Sequence, residues 1–567
     1  MKKLISLILF LCVVAMANAQ ERRNVYVNPL ENNTSLKATT AGRLYKKGIL
    51  GLTKANTIAV TQGDHVMTPG SDEAKEYDYI LTISVDKIDA VDLKKELKDA
   101  VGEIGKLLGG KSSSSSSNSK PNYQATISSS VKIYDAATGQ KVYEVDLENT
   151  SSNEDINLGY FQATNDYDLT MLDMTDEAFR ISGEIVEATD VDKKGKVKKV
   201  RAQIGSKNGA RKNMWFDIYR VSGGDQELMG TAKCEQVLNA DESMLSVTGK
   251  KDGDKALNEA ISNLDGSYQI VVMSRAKGGF MRKNLKTFDR VKFKSDSPAY
   301  LDPDVHRYNS KIAFINLGTA DNSLDALLPP FCDVVLTAAN KAATVEVVPT
   351  VYKSVESARE AGIDGLVEVS LDVVLREAEQ KKNSKGESYT DYKSKLYFTI
   401  TGIDVATGKY IDMLSKYQLG TSNESREKAD ISAIKDINDD LKNFCEDVFP
   451  ITCTVMEAKK VNDKKQEVKE ASIDIGTYAG VKKGMLFDIY EQRKEGDDDS
   501  RFLIGEGKVK GDGLDTKEAV ISIKGKNDGD KRLFDLIKNM DEGTEIILVS
   551  KANHGVGGFL DNIIGNN

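Results

Sequence analysis

The chain has few of the residues that catalytic and metal sites most often use. It contains three histidines, His65, His306 and His554, and none lies at a spacing typical of a metal site or a catalytic triad. It also has a single tryptophan and nine prolines among 567 residues. Catalysis by serine or cysteine with histidine is therefore unsupported, and we expect a non-enzymatic protein with no catalytic residue, metal or cofactor.

Cysteine is also scarce. Apart from Cys12, the chain contains Cys234, Cys332, Cys445 and Cys453, which are too few in so long a chain to form a disulfide framework. Cys332 and Cys445 both lie in apolar stretches of the second half, so a disulfide between them is one possibility. Burial as small apolar side chains is the interpretation that their surroundings favour.

An excess of positive charge is missing. The chain has 78 Lys and Arg against 87 Asp and Glu, a net charge of −9. Without Lys2 and Lys3 the balance is 76 against 87, or −11. A negative, well-mixed surface argues against binding to nucleic acid or to anionic lipid.

Long apolar runs are missing beyond the N-terminus. Leu4–Met16 is apolar over 13 residues, follows two lysines and precedes Ala17-Asn18-Ala19, which is typical of a secretory signal peptide over residues 1–20. A membrane-spanning helix needs roughly 20 such residues. Cys12 follows Leu11, whereas a lipoprotein cleavage site has a small residue there, so lipid anchoring is disfavoured. We expect an exported protein of the periplasm, the outer membrane or the cell surface.

What the sequence does contain is an internal duplication. The repeated segments are Asp135–Gly139 (DAATG) with Asp404–Gly408 (DVATG), Trp215–Tyr219 (WFDIY) with Leu486–Tyr490 (LFDIY), Asp252–Lys255 with Asp528–Lys531 (DGDK), and Ile270–Ser274 (IVVMS) with Ile546–Ser550 (IILVS). They keep their order along the chain, so the repeated unit is about half of the protein. A duplicated architecture with no shared reactive residue is typical of a scaffold.

Each half divides into two parts with different periodicities. The first part alternates strands with helices and ends in a hairpin around the Ala-Thr-Gly turn, and the second contains four or five alternating strands. We therefore predict an α+β protein in which a mixed-sheet α/β domain followed by a small β-barrel occurs twice, in the order A-B-A-B. The predicted segments are the signal peptide 1–20, an α/β domain 21–175 with an insert at 91–121, a barrel 176–282, a linker 283–308, a second α/β domain 309–448, a second barrel 449–559 and a tail 560–567.

The α/β parts resemble a known periplasmic domain. In the first half the matching residues are Asp78-Tyr79-Ile80-Leu81-Thr82 and the strand and turn of Asp135 to Tyr143. They resemble the domain shared by the curli secretion protein CsgG and the penicillin-binding-protein activator LpoB. This shared domain also resembles the N-terminal domain of TolB. The second half matches more loosely, at Asp364-Gly365-Leu366 and Asp404 to Ile411. The barrel parts, with Gly205-(x)3-Gly209 and Gly476-(x)3-Gly480 before the apolar strand, resemble the small C-terminal barrel of the flagellar assembly protein FlgT.

Two motifs suggest ligand chemistry but lie in the wrong context. Gly105 to Ser112 fits the phosphate-loop pattern, yet it closes a helix and runs into serines instead of leading from a strand into a helix. In the Asp-Gly-Asp-Lys segments a lysine stands where calcium would need another oxygen ligand. Both are interpreted as helix ends and turns.

The insert is the one large difference between the halves. Residues 92–110 place apolar side chains on one side of a candidate helix, and a six-serine run at Ser112–Ser117 follows within a linker that ends at Pro121. An elaborated loop on a scaffold is a common place for function. The predicted partner-binding residues are Leu93, Leu97, Val101, Ile104 and Leu108.

The sequence leaves three functional hypotheses. The first is an exported protein that recognises other envelope proteins in assembly, secretion or cell-wall synthesis, and it follows from the resemblance to the CsgG/LpoB domain and the missing catalytic residues. The second is an outer-membrane secretion-pore subunit of CsgG type, although the insert lacks the 9–11 alternating residues of a membrane strand. The third is a carbohydrate-binding protein or hydrolase.

Overall fold

The computed structural model describes residues 23–55, 57–93, 122–222, 225–239, 241–248, 253–263, 268–275, 310–319, 322–495, 498–525, 529–539 and 544–553. The chain divides into two compact units, Met1–Gly279 and Phe280–Asn567. The predicted signal peptide, the linker 283–308, the tail and most of the insert lie outside the described residues.

The first unit begins with an α/β sheet. Its elements are β1 (Arg23–Val27), β2 (Glu31–Asn32), α1 (Ala38–Lys54), β3 (Ile58–Gln62), β4 (Tyr79–Asp92), β5 (Tyr123–Asp135), β6 (Lys141–Asn153), α2 (Ile156–Ala163) and α3 (Tyr167–Ala178). The strand order is β3-β1-β4-β5-β6, with the short β2 beside β4. β1 is parallel to β3 and β4, whereas β4, β5 and β6 form an antiparallel meander. The sheet is therefore mixed, as predicted.

A closed barrel of six strands follows. Its elements are β7 (Ser182–Val191), β8 (Val197–Ala202), β9 (Trp215–Ser222), β10 (Asp225–Val237), β11 (Ser243–Thr248), α4 (Gly253–Ser262) and β12 (Gln269–Arg275), and the strands close in the order β10-β11-β8-β7-β12-β9. Leu257 and Ala260 of α4 belong to the same buried cluster as Phe216 and Ile218 of β9. The helix thus contributes to the barrel core.

The second unit repeats the α/β sheet. Its elements are β13 (Ser310–Thr319), α5 (Leu328–Lys341), β14 (Val345–Tyr352), α6 (Val355–Glu360), β15 (Gly365–Lys382), β16 (Ser388–Asp404), β17 (Tyr410–Ser422), α7 (Arg426–Lys435) and α8 (Ile437–Val448). The strand order β14-β13-β15-β16-β17 matches that of the first sheet position by position. Two prolines open α5, where the missing N–H groups leave no helical bond unmade.

The second barrel has the same topology as the first. Its elements are β18 (Thr452–Asn462), β19 (Glu467–Ile473), β20 (Leu486–Glu495), β21 (Asp498–Val509), β22 (Ala519–Gly525), α9 (Gly529–Asn539) and β23 (Thr544–Lys551), closed in the order β18-β19-β22-β21-β20-β23. In both barrels the first strand pairs with the second and sixth, and the fifth pairs with the second and fourth. The predicted fold class, a duplicated mixed α/β sheet and small barrel, is confirmed.

Helices cover one face of each sheet. In the second unit, Leu396, Phe398 and Ile400 of β16 are buried in one cluster with Phe331 of α5 and Leu441 of α8. Side chains alternate along a strand, so the residues between these three point to the opposite face. Among the described residues, no helix is long and apolar enough to cross a bilayer.

Candidate interaction surface

The repeated Ala-Thr-Gly motif forms a tight turn. The carboxylate of Asp135 accepts hydrogen bonds from the Thr138 backbone N–H at 2.8 Å and from its hydroxyl at 2.7 Å, and Gly139 has a φ of +72°. Asp404 and Gly408 repeat this arrangement, with the same φ of +72°. Glycine is required here because other residues rarely adopt a positive φ. The motif is therefore structural.

The aspartate that opens the third strand of each sheet is structural as well. Asp78 Oδ2 accepts a hydrogen bond from the backbone N–H of Asn24 at 2.7 Å. Asp364 Oδ2 accepts one from the backbone N–H of Lys311, also at 2.7 Å. Each carboxylate thus fixes the start of the neighbouring parallel strand. The residues on which the sequence resemblance depends act in shaping the sheet.

The serine that ends the IVVMS and IILVS segments joins the start of the first barrel strand to the last barrel strand within each unit. Ser274 Oγ accepts a hydrogen bond from the Ile181 N–H at 2.9 Å, and its own N–H donates to the Ile181 carbonyl at 2.9 Å. Ser550 and Ile451 form the same pair of bonds, at 2.8 and 2.9 Å. Both serines are buried, at 0% and 3% exposure. We refer to each pair as a serine clamp.

The Phe-Asp-Ile-Tyr strand is a barrel wall. Phe216 and Phe487 are fully buried in the two barrel cores. The aspartate that follows each phenylalanine forms an ion pair with a cation on the neighbouring strand of the barrel. Asp217 pairs with Arg275 at 3.1 Å, and Asp488 pairs with Lys551 at 2.6 Å. The duplicated motifs thus account for the scaffold, and a site specific to this chain must lie where the halves differ.

That difference lies at the end of a two-stranded ribbon. β4 and β5 pair out to Asp92 and Tyr123, and Leu93 N–H donates to the Asn122 carbonyl at 2.9 Å. In the second unit, Ala378 and Tyr392 occupy the equivalent pair, but the ribbon continues for four more pairs to Lys382 and Ser388. Residues 93–122 therefore replace the ribbon end 379–391, which the sequence identifies only as a short polar segment.

The predicted partner-binding residues fall at this end. Leu93 is partly buried at the base of the insert, directly after β4. Leu97, Val101, Ile104 and Leu108 lie outside the described residues, so their role stays a prediction. β4 itself extends through Asp92, because its cross-strand pairs with β5 continue to that residue.

A repeated polar cluster lies halfway along each ribbon, and the sequence analysis missed it. Ser84 Oγ lies 2.8 Å from Asp86 Oδ1 and 2.8 Å from Ser130 Oγ. Asp86 is the extra residue of a β-bulge. In the second unit, Asp372 occupies the equivalent bulge and accepts bonds from Ser370 and Thr399, both at 2.6 Å.

A sequence signal for this cluster exists. Ile83-Ser-Val-Asp86 and Val369-Ser-Leu-Asp372 occupy the same place in the two halves, 286 positions apart. A bulge bends its strand and increases the local twist, so the cluster sets the direction in which the ribbon leaves the sheet. The ribbon end is thereby held at a defined angle on a rigid support.

An ion pair with both partners buried lies between two helices of the first unit. Lys47 on α1 and Asp168 on α3 are 4% and 2% exposed, with their charged atoms 3.6 Å apart. The equivalent positions in the second unit hold the uncharged Val334 and Asn438. Helix pairing in the first unit therefore uses a long-range ion pair that helix periodicity does not reveal.

Arg211 carries a second buried ion pair in the first unit. Its guanidinium donates to Asp176 Oδ2 at 2.5 Å and to the Ala55 carbonyl at 2.7 Å. Arg211 directly precedes the barrel wall β9, while Asp176 lies on α3. The pair therefore links the sheet part to the barrel part of this unit.

His65 lies between two carboxylates in the loop after β3. Its Nδ1 is 2.7 Å from Asp64 and its Nε2 is 3.1 Å from Glu73, and the side chain is half exposed. The hydrogen bond to Asp64, with the charge of Glu73, raises the pKa of His65 above its usual value despite some desolvation. The described residues contain no group of three or more His, Cys, Asp or Glu side chains that could hold a metal ion.

The four described cysteines are free thiols. Burial raises the pKa of Cys234 and Cys445 to about 12 and also raises that of Cys453. Cys332 is only partly buried. These thiols are therefore mostly neutral near pH 7 and pack as small apolar groups.

No protein-family model matches the chain, and no curated protein matches it. Several solved structures are similar to part of it. The PelC dodecamer from Paraburkholderia phytofirmans is 18% identical, with 25% of this chain and 91% of that chain covered and a TM-score of 0.17. Lipoprotein GNA1162 from Neisseria meningitidis is 11% identical, with 24% of this chain and 90% of that chain covered and a TM-score of 0.17. XCC0632 from Xanthomonas campestris is 7% identical, with 25% of this chain and 83% of that chain covered and a TM-score of 0.17.

Each of these matches involves about a quarter of the chain. TM-scores this low establish neither a family nor a function for this chain. The specific resemblance to the CsgG/LpoB domain and to the FlgT barrel stays a prediction.

Proposed function

We propose that this protein is an exported, non-enzymatic component of the cell envelope that recognises other proteins through the insert at the end of the β4–β5 ribbon. The observation that carries the proposal is the position of the insert. The insert begins and ends at the cross-strand pair Asp92–Tyr123, which is equivalent to Ala378–Tyr392 in the second unit. Beyond that pair the second unit has only a plain hairpin end. The signal-peptide pattern and the apolar residues predicted for the insert support the same conclusion.

The equivalence of the two ribbons supplies the experiment. Residues 93–122 are replaced by residues 379–391 of the same chain, so that Asp92 and Tyr123 keep their pairing and the ribbon ends in its counterpart's turn. Cross-linking in intact cells followed by mass spectrometry then compares the partners of the grafted and parent proteins. We expect the graft to fold and to lose one or more envelope partners.

A reciprocal variant serves as the control. Shortening the second ribbon by removing residues 379–382 and 388–391 around its turn changes a ribbon of the same kind without touching the insert. We expect this variant to keep the partners. If the grafted protein is folded and its cross-linked partners are unchanged, the insert is not the recognition element and the proposal is wrong.

The charged substitutions Leu97→Asp and Val101→Asp refine the test. Both positions lie on the predicted apolar side of the insert, so each change should weaken the same cross-links. Among the described residues, we find no observation that favours the pore-subunit or the carbohydrate hypothesis over this one.

A further inference from the structure

One face of the second sheet is buried although the short helix α6, at one end of it, is the only described helix of its unit that lies on this face. This open face is opposite to α5, α7 and α8, and its rows run across β15, β16 and β17. We define it by Glu368, Asp372, Tyr397, Thr399, Thr401 and Met413. On β16 these residues alternate with Leu396, Phe398 and Ile400, which pack against the helices.

The burial of this face is nearly complete in its middle rows. Thr401 is 1% exposed, Tyr397 3%, and Met413, on the edge strand β17, 7%. Tyr417, beside Tyr397 with ring centroids 5.4 Å apart, is 37% exposed. Lys395, on the same face of β16, places its Nζ 5.3 Å from the Tyr397 ring centroid and 3.9 Å from that of Tyr417, and covers these rings in part. Further atoms are needed to bury the rows of Thr401 and Met413.

The described helices of the second unit do not supply those atoms. α6 packs on one end of the face, in a cluster that reaches Ile403 but not Thr401. The elements in extensive contact with β16 and β17 are their neighbouring strands and α7 and α8, which lie on the other side. Burial raises the pKa of Tyr397, consistent with a covered hydroxyl.

The charge on the face is negative towards β15. Glu368 and Asp372 lie beside the buried threonines, and Glu377 lies further along β15. Each of the three has a further interaction partner. A segment that covers this face must therefore offer cations together with apolar side chains for the Tyr397 and Met413 rows.

Residues 282–294 of this chain have that composition. The segment (RKNLKTFDRVKFK) contains six basic residues and one acidic residue, a net charge of 6 − 1 = +5 in a chain whose total is −9. Leu285, Phe288, Val291 and Phe293 are spaced among the cations, and residues 290–294 alternate basic with apolar. Alternation of this kind is typical of an extended segment with one face on an apolar surface.

The connection also has the required reach. Fifteen residues, 295–309, separate the segment from Ser310, the start of β13 in the same sheet. They can span up to about 50 Å. β13 and β17 are separated by two strands, a distance of about 15 Å. We propose that the open face of the second sheet is the docking surface for residues 282–294 of the same chain.

The equivalent face of the first sheet differs at its edge strand. The edge-strand positions equivalent to Met413, Ser415 and Tyr417 hold Glu144, Asp146 and Glu148, all exposed. Exposed charges protect a sheet edge from unwanted pairing. The second sheet lacks that protection on this face and has a cationic segment of its own chain within reach.

Zero-length cross-linking tests the proposal directly. A carbodiimide joins a lysine amine to a carboxylate with loss of water, and only where the two groups already touch. In the purified full-length protein we expect amide links from Lys283, Lys286, Lys292 or Lys294 to Glu368, Asp372 or Glu377. Their absence, with other cross-links present, would overturn the proposal.

A variant gives an independent readout. Arg290→Glu combined with Lys292→Glu and Lys294→Glu should increase the nitration rate of Tyr397 about tenfold or more, the factor expected from losing three ion pairs. Tyr417, already exposed, should change little. The control, Lys193→Glu with Lys194→Glu, reverses exposed charges in the first unit and should leave Tyr397 protected.

Charge exchange guards against a trivial effect on folding. Adding Glu368→Lys and Glu377→Lys to the triple variant should restore the protection of Tyr397. If protection is not restored, or the cross-links form only between two isotopically distinct copies, intramolecular docking is wrong. Neither result depends on the partner-binding insert, so this proposal and the proposed function can fail separately.

Discussion

The buried ion pair of Arg211 predicts a large difference between two equivalent positions. Arg211 and Lys482 lie 271 residues apart at the same place in the two halves, four residues before β9 and β20. Arg211 is buried and bonded to Asp176 and the Ala55 carbonyl, whereas Lys482 is exposed. The same truncation to alanine should therefore have different consequences.

The magnitude follows from what each truncation leaves behind. Arg211→Ala leaves the Asp176 carboxylate, 5% exposed, without its guanidinium, and breaking a buried pair in this way costs about 3–5 kcal/mol of the free energy of unfolding. Lys482→Ala alters only an exposed side chain and should stay within about 0.5 kcal/mol. Replacing both partners of the buried pair, with Arg211→Met and Asp176→Leu, should recover most of the loss.

The single tryptophan makes the measurement specific to one barrel. Trp215 lies on β9, four residues after Arg211, so its fluorescence during urea unfolding reports the first barrel. We expect a large shift of the Trp215 transition for Arg211→Ala and none for Lys482→Ala. A shift below about 1 kcal/mol for Arg211→Ala would refute the reasoning, since that is the range of an exposed ion pair.

Three further predictions concern the turns, the single described histidine and the thiols. Gly139→Ala should destabilise the fold more than Gly408→Ala. Both glycines have a positive φ, but only at Gly139 would a new Cβ lie near a backbone oxygen, that of Pro69 at 3.1 Å. Thermal unfolding curves of the two variants will show whether this order of stability holds. The pKa of His65 is raised on folding, so its contribution to the loop is complete below the unfolded value of about 6.5 and is lost as the pH rises through the folded value. Amide protection factors in the loop, which correct for the base catalysis of intrinsic exchange, should accordingly be higher at acidic than at alkaline pH. His65→Ala should remove this difference, and protection factors that change equally in both proteins would contradict the prediction. Cys332 should react with a maleimide in the folded protein well before Cys445, and a Cys332–Cys445 disulfide in a non-reducing peptide map would show that the free-thiol assignment is wrong.

The parts of the fold that follow local rules could be predicted from the sequence. The Asp-Ala-Ala-Thr-Gly139 turn was identified because a tight reversal needs glycine at a positive φ, and the structure confirms it. The duplication was evident because residues that shape turns and barrel walls tolerate little change.

Interactions between distant residues could not be predicted. Helix periodicity indicates that the basic residues of α1 lie between apolar ones, but not that Lys47 is 4% exposed. Its burial depends on Asp168, 121 positions away, and on Gly51, where an added Cβ would lie 2.2 Å from the Asp168 carbonyl oxygen. Such close helix contact depends on the tertiary fold and has no periodic pattern.

The candidate site was only partly accessible to sequence reasoning. The insert could be located because the halves can be compared, and its anchoring pair, Asp92 with Tyr123, needed the strand register. The Ser84–Asp86 cluster was overlooked because a serine and an aspartate two residues apart in a strand look like ordinary polar positions of an alternating pattern. Only the bulge places both side chains together.

The serine clamps have a consequence for the order in which this chain can mature. Ile181 directly precedes the first strand of the first barrel, but its hydrogen-bond partner Ser274 is synthesised 93 residues later, on the strand that also closes the barrel. Until that strand has emerged, the first barrel is an open sheet with two unpaired edges. The same holds for Ile451 and Ser550, near the end of the chain. A chain that emerges from its N-terminus onward can thus close its first barrel while the second is still incomplete, and each barrel passes through an open-sheet stage until its last strand arrives.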